Sequence, residues 1–327
     1  MEENSFYQEM SPELQQVANS VQLIRNELKK VTIGQEKMID LLITGLLCGG
    51  HILIEGVPGI AKTLTAKLLA KTIATDFSRI QFTPDLMPTD VLGTLVFNQK
   101  TNDFSFKKGP IFSNIVLIDE INRSPAKTQA ALLEVMEELK VSMDGESHAM
   151  GFPFFVIATQ NPIEQEGTYK LPEAQLDRFI FRIKITYPDL EEEKQILYRF
   201  KEDFSNKQKD SVQAVVTVQQ LQKCRDVVEH VHIKDELLDY IANIVFKTRN
   251  HGDLFLGASP RASLNIMKAS KAVAAMNGRN FVTPDDIHFV TYPVLNHRII
   301  LTPDKELEGY DSSSVIKSII EGIDVPR

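Results

Sequence analysis

Apolar residues fall into two kinds of run along this chain, and the change from one kind to the other divides it. Up to about Tyr187, short unbroken apolar stretches alternate with stretches in which apolar positions recur every three to four residues. His51–Gly56 (HILIEG), Asn114–Glu120 (NIVLIDE), Phe154–Pro162 (FFVIATQNP) and Phe179–Ile185 (FIFRIKI) are of the first kind and predict buried strands, with Arg79–Phe82 (RIQF) as a shorter candidate. Ser11–Lys30, Thr63–Ala74 and Ser124–Glu138 are of the second kind and predict helices. The first of these has Ser11 as cap and Pro12 as opening residue, and the last also begins on Ser-Pro. Buried strands alternating with helices predict a parallel sheet covered on both sides. Two segments interrupt this order with strict alternation about a turn: Thr94–Phe106, turning near Asn102-Asp103, and Lys140–Pro153, turning at Asp144-Gly145.

Beyond Tyr187-Pro188 only helical periodicity remains, over Glu191–Phe200, Val218–Val231, Lys234–Asn250, Ser259–Met276 and Thr283–Leu295. The pattern therefore predicts an α/β core with a preceding helix over residues 1–187 and a smaller all-α domain over 188–327, with a polar linker near 202–213.

Composition adds little to this picture. The 327 residues are 43% hydrophobic and 24% charged, the balance of a globular protein. No apolar run approaches the roughly 18 residues that would span a bilayer, and the acidic N-terminus lacks the order of a signal peptide. The two cysteines, Cys48 and Cys224, lie far apart and read as reduced thiols; a cytoplasmic location is expected. A net charge of −8 without a basic block argues against nucleic acid as the partner.

Chemistry enters at Gly56–Thr63. The stretch GVPGIAKT is a phosphate-binding loop, G-x-x-x-x-G-K-[ST], with Ala61 in place of the last glycine. Its glycines free backbone N–H groups to converge on phosphate oxygens, a lysine reaches the β/γ oxygens and a hydroxyl binds Mg²⁺. Gly56, Gly59, Lys62 and Thr63 keep the required spacing, and a strand before and a helix after supply the right context. Ala61 lies where loop becomes helix, so a helical, negative φ is expected there. The pair Asp119-Glu120 ends an apolar strand, and strand ends gather at one edge of a parallel sheet. Asp119 suits Mg²⁺, a hard cation that keeps several waters, and Glu120 suits the polarising of a water for in-line attack. Asn161, ending the next strand, is placed to orient that water, ahead of Thr159 and Gln160. His230 and His232, at i, i+2, have no helical metal spacing and no ligand partners.

GVPGIAKT, VLIDEINR, ATQNPIEQEGTYKLPEAQLDRF and GASPRAS, in this order and spacing, resemble the MoxR family of AAA+ ATPases from about Val31 to Arg298. Members of that family often carry alanine at the position of Ala61. The resemblance implies a P-loop AAA+ core with two inserted hairpins and a helical lid. It makes Gly56, Val57, Pro58, Gly59, Ile60, Ala61, Lys62, Thr63 and Leu64 the ATP-binding loop, with Thr63 and Asp119 as Mg²⁺ ligands and Glu120 as the catalytic carboxylate of Walker B. Asn161 matches sensor 1, Arg178 the arginine finger and Arg261 sensor 2, while Ile33 and Gly34 lie in the segment covering the adenine. It further implies a homo-hexamer with sites between subunits, acting as a chaperone-like remodeller of a protein client, often with a von Willebrand A domain partner carried on another chain.

Some residues have a plainer reading. Arg178 is a candidate for a surface pair with Asp177 or Glu173, and Arg123 for a local carboxylate or a contact across an interface. Arg261 sits at a helix start, where the helix dipole disfavours a cation and a phosphate partner explains it better. Three other functions stay open: a nucleic-acid-directed motor, a metal-chelatase-type motor subunit, and a scaffold that binds ATP without turning it over. The first is opposed by Asp144 and Glu146 at one hairpin tip, although the other carries Lys100, Lys107 and Lys108 beside Asp103. No residue pattern supports the second, and the presence of Glu120, Asn161 and Arg178 opposes the third.

Overall fold

The computed structural model describes residues 11–57, 62–100, 102–161, 169, 171–201 and 208–326. Nine strands form within the first two thirds of the described chain: β1 (His51–Gly56), β2 (Phe77–Gln81), β3 (Gly93–Asn98), β4 (Asp103–Lys108), β5 (Ile115–Asp119), β6 (Lys140–Met143), β7 (Glu146–Ala149), β8 (Phe155–Gln160) and β9 (Phe179–Ile185). Five of them make one sheet in the order β2-β5-β8-β1-β9, parallel throughout. β1, β5 and β8 are buried along nearly their whole length, which accounts for their unbroken apolar runs: each face of the sheet is covered, so no position needs to be polar. β2 is an edge strand and mostly open, and its weaker apolar signal follows from that.

The core on one side of the sheet gathers Val116 and Ile118 of β5, Val156 and Ala158 of β8, and Leu132, Leu133 and Met136 from the helix Ala126–Glu138. His51, buried at the start of β1, is held neutral in its bonding pattern: its Nδ1 accepts from the Val156 N–H at 3.0 Å and its Nε2 meets the Met136 carbonyl at 3.1 Å. The helix Ala126–Glu138 starts after Pro125 without a side-chain cap, and the Ser124 hydroxyl is buried instead of capping, so Ser-Pro marks this start by proline geometry alone. Ser11, by contrast, does cap the helix Pro12–Lys29, accepting from the Leu14 N–H at 3.3 Å.

Both hairpins form. β6 and β7 join through Asp144 and Gly145, each at positive φ, the two-residue connection the sequence requires. β3 and β4 pair from Gly93↔Lys108 to Asn98↔Asp103, which makes Asp103 the first residue of β4 and not a turn residue.

Contacts divide the chain into two compact units, one of residues 24–42 and 49–218, the other of 11–23, 43–48 and 219–326. The division thus falls at Val218 and not near Tyr187. The cause is local: the N–H groups of Val215 and Val216 both donate to the Thr72 carbonyl, at 2.8 and 3.1 Å, and the Gln213 N–H donates to Glu27 at 3.0 Å. With Val212 and Val216 buried as well, the segment stays with the α/β unit. The described end of the expected linker contains a short helix, Gln208–Ser211.

The second unit is built from the helices Asp235–Arg249, Pro260–Met276, Pro284–Leu295 and Ser312–Glu321, with all but the first residue of Val218–Glu229. It also holds a small antiparallel pair, β10 (Leu254–Leu256) with β11 (Ile300–Leu301), so it is not purely helical. Its best-satisfied polar cluster surrounds Asp286. That carboxylate receives Arg279 through two nitrogens at 2.6 and 2.7 Å and accepts from the N–H and hydroxyl of Thr283 at 2.8 and 2.9 Å.

Candidate active site

Three strand ends meet at one edge of the sheet and bring the polar residues of the α/β unit together. β1 ends at Gly56, β5 at Asp119 and β8 at Gln160, so Lys62, Asp119, Glu120 and Asn161 follow or close neighbouring strands. Of the phosphate loop, Pro58, Gly59, Ile60 and Ala61 lie outside the described residues, and the expectation for φ at Ala61 lies there too. Gly56 and Val57 precede that gap. Lys62, Thr63 and Leu64 follow it as the first turn of the helix Lys62–Thr72.

Lys62 is half-buried, and its ammonium donates to the Gly56 carbonyl at 2.7 Å. Burial lowers its pKa, and the negative charges of Asp119, Glu120 and Glu55 oppose that shift. The half-buried ammonium can take phosphate charge at this edge, and a divalent cation would be needed to offset the carboxylates beside it.

The two acids are gripped differently. Asp119 Oδ1 accepts from the Thr159 hydroxyl at 2.6 Å, and the same hydroxyl oxygen accepts from the Glu120 N–H at 3.1 Å, so one threonine ties β8 to both acids. Asp119 Oδ2 receives Arg79 through Nη2 at 2.6 Å and Nε at 3.1 Å. Glu120 Oε2 receives Gln81 Nε2 at 2.8 Å and lies 3.0 Å from Arg123 Nε. Arg79 and Gln81 stand two apart on β2, hence on one face, opposite Leu117 and Asp119 in register. Glu120 itself adopts a left-handed conformation, φ 57° and ψ 54°, which strains a residue with a side chain and turns the chain sharply after Asp119.

Asn161 is buried directly after β8. Arg123 therefore takes the local carboxylate Glu120, one of its two readings. Arg178 pairs with Glu137 at 2.9 Å, a partner the sequence did not suggest. Arg261 belongs to the other unit, exposed at the second position of the helix Pro260–Met276. Gly34 has φ +69°, a left-handed conformation that favours glycine, while a Cβ there would meet only the movable end of the Glu192 side chain; Ile33 beside it is half-buried. Sequence reasoning missed Arg79, Gln81 and Thr159 as partners of the acids. The available signal was that polar residues on an edge strand end at the same sheet edge.

The donor chemistry suits Mg²⁺. The candidates, the Thr63 hydroxyl and the Asp119 carboxylate, are hard oxygens, and Mg²⁺ takes only one or two protein ligands beside water and phosphate. Among the described residues no group of three or more His, Cys, Asp or Glu forms a self-sufficient metal cage. No helix among them is long and apolar enough to cross a membrane.

Comparison with known proteins agrees with this geometry. Residues 51–181 match the ATPase family associated with various cellular activities (AAA), and residues 246–319 match the AAA lid domain. An uncharacterized protein of Bacillus subtilis, YeaC, is 43% identical over 299 residues, 91% of this chain and 92% of its own. Chaperone MoxR1 of Mycobacterium tuberculosis is 41% identical over 310 residues, 92% of this chain and 81% of its own. A crystal structure of a Cytophaga hutchinsonii protein superposes with a TM-score of 0.88 at 44% identity, covering 96% of this chain and 97% of that one.

Proposed function

The chain belongs to the MoxR family of AAA+ ATPases, and from that premise we propose that it hydrolyses ATP at the strand-end acids to remodel or activate a protein partner. The observation that carries the reading is the meeting of Asp119 and Glu120 at the end of a buried strand with Lys62 in their field. Lys62 binds the β/γ phosphate charge. Thr63 and Asp119 would hold Mg²⁺, which when bound neutralises charge on the phosphate oxygens. Glu120, oriented by Gln81 and Arg123, accepts the proton of the attacking water, and Asn161 fixes that water's position. Arg178 acts on a neighbouring subunit's phosphates in a ring, a homo-hexamer by family likeness, and Arg261 answers the phosphates from the lid. Ile33 and Gly34 cover the adenine.

Remodelling of a protein is supported by the chaperone name of the mycobacterial relative, and a von Willebrand A domain protein on another chain is the partner class we propose. Lys62→Ala is expected to lose ATP affinity, and Glu120→Gln to bind ATP without hydrolysing it and so retain the partner in a pull-down. Wild-type turnover in both variants would sink the site assignment. Absence of any partner retained in an ATP-dependent way would sink the remodelling.

One observation favours a second reading, a nucleic-acid-directed motor. Phe97 and Phe104 stand exposed on the β3–β4 hairpin with Lys100, Lys107 and Lys108 on the same hairpin, an aromatic and basic combination suited to single strands. Asp103 and the acidic β6–β7 tip oppose it. Salt-dependent binding of single-stranded DNA, with turnover stimulated by it, would decide for the motor.

A further inference from the structure

Gln129 lies on the helix Ala126–Glu138 with 0% of its surface exposed, and no motif considered so far uses it. Its side-chain amide donates to three backbone carbonyls: Ile121 at 3.1 Å, Ser124 at 3.1 Å and Tyr169 at 3.4 Å. The first two carbonyls bracket the single 3₁₀ turn Ile121–Arg123 that follows Glu120 directly. The third belongs to the segment that leaves β8 beyond Asn161. Tyr169 is tied to the same turn a second time, its N–H donating to the Asn122 carbonyl at 2.7 Å.

The polarity at this point is one-sided. Gln129 Oε1, Asn122 Oδ1 and the Ser124 hydroxyl are buried with no hydrogen-bond partner among the described residues. A buried amide with an unsatisfied carbonyl is costly, so the side chain is favoured here for its two N–H donors. A methionine of similar length would leave the carbonyls of Ile121 and Ser124 without those donors. A glutamate of the same shape would set a negative charge against three carbonyl oxygens. Only a neutral group with two donors on one nitrogen suits the pocket.

The turn it holds is the one that needs holding. Glu120 occupies a left-handed conformation that local sterics disfavour, and strained residues persist only where the surroundings over-determine them. Arg123, whose Nε lies 3.0 Å from Glu120 Oε2, closes the same turn through its N–H to the Glu120 carbonyl at 2.9 Å.

We infer that Gln129 is a positioning residue for hydrolysis: it holds the turn that directly follows Glu120, and ties Tyr169 to it, so that the group proposed to take the proton of the attacking water keeps one geometry. The inference rests on the reading of Glu120 given above. It places the effect of Gln129 on the chemical step and not on nucleotide affinity, which Lys62 and the phosphate loop govern.

The test compares Gln129→Met and Gln129→Glu with the unaltered full chain, using ATP and Mg²⁺. Both variants are expected to lose at least about tenfold in kcat, since a misplaced general base forfeits much of its contribution. Binding of a fluorescent ATP analogue should change less than about threefold, and amide hydrogen exchange should quicken in peptides covering Arg123 and Tyr169. Unchanged kcat in a folded Gln129→Met chain overturns the inference. So does a loss of kcat that only follows equal losses of analogue binding and thermal midpoint, which marks a structural role. If Gln129→Met does not fold, Gln129→Glu decides by the same split, and failure of both to fold also counts as the structural role. Glu120→Gln, run alongside, separates the two ideas: if it turns over ATP normally, the reading of Glu120 fails, whereas a dead Glu120→Gln beside an unaffected Gln129→Met removes only the role of Gln129.

Discussion

Two arginine–aspartate pairs of the same length serve opposite ends. In the helical unit Arg279 meets Asp286 at 2.6 Å, with the acid 3% exposed and also bonded to both donors of Thr283. In the α/β unit Arg79 meets Asp119 at 2.6 Å, but the arginine is 51% exposed and the acid's second oxygen is held only by a threonine hydroxyl. Both oxygens of Asp286 accept from fixed donors of one short chain segment, so that pair is a lasting joint. The Arg79 side chain can swing into solvent and leave Asp119 with an open oxygen. Distance alone therefore does not separate structural from functional ion pairs; exposure of the cation and the supply of other donors do.

The largest effect expected lies at a third pair, Arg178–Glu137, which resembles neither. If Arg178 serves a neighbour's phosphates, Arg178→Ala should lower ATP turnover by roughly 10³–10⁵-fold. Its loss should cost no more than about 1 kcal/mol of stability, because the pair is partly exposed. Mixed with Lys62→Ala subunits, activity should partly return, since some interfaces then combine an intact lysine with an intact arginine. Mixing that restores nothing, with co-assembly shown by mass photometry, would return Arg178 to a surface role.

Asp119→Asn breaks the comparison on its functional side. Turnover should fall by about a hundredfold or more as Mg²⁺ stabilisation is lost, while the thermal midpoint stays near that of the unaltered chain. Asp286→Ala breaks it on the other side. Removing one partner of a buried pair costs about 3 kcal/mol, visible as an earlier denaturant midpoint, with kcat per folded chain unchanged. A fall in kcat for Asp286→Ala larger than its unfolded fraction would show that the two pairs are not so different.

Arg79→Gln should have the smallest effect. Stability should move by less than about 1 kcal/mol. The Mg²⁺ affinity of the nucleotide-bound protein, read by titration calorimetry, should rise by a few-fold, because one competitor for Asp119 is gone. A drop in that affinity would mean that Arg79 presents Asp119 to the ion instead of competing with it.

Much of this was legible in the sequence where burial is complete. β1 begins and ends where its apolar run does, because a strand covered on both faces leaves little room for polar interruption, and β9 keeps its predicted bounds although Arg182 and Lys184 interrupt it at the margin of the sheet. The helix Glu36–Cys48 was missed for the same reason: apolar around most of its circumference, it shows no stripe for periodicity to find. β10 and β11, of three and two residues, are too short to alternate. At the site, Lys62, Asp119 and Glu120 announced themselves through motif and strand context. Arg79, Gln81 and Gln129 did not, because their importance comes from which backbone or carboxylate lies opposite, a property of the folded sheet and of no local pattern. The boundary at Val218 likewise depends on hydrogen bonds to Thr72, more than a hundred residues earlier in the chain.

The outer position of β2 has a consequence beyond catalysis. Among the described residues β2 pairs only with β5, and β9 at the far margin pairs only with β1, so the sheet has two unpaired rims. Such rims recruit further strands from other molecules unless something repels them. β9 carries Arg182 and Lys184, whereas the sole charge on β2 is Arg79. The guanidinium that competes for Asp119 is therefore also the one charge on FSRIQ that opposes edge-to-edge pairing at this rim. Selection for colloidal stability would retain an arginine at this place even where selection for turnover alone would let it go.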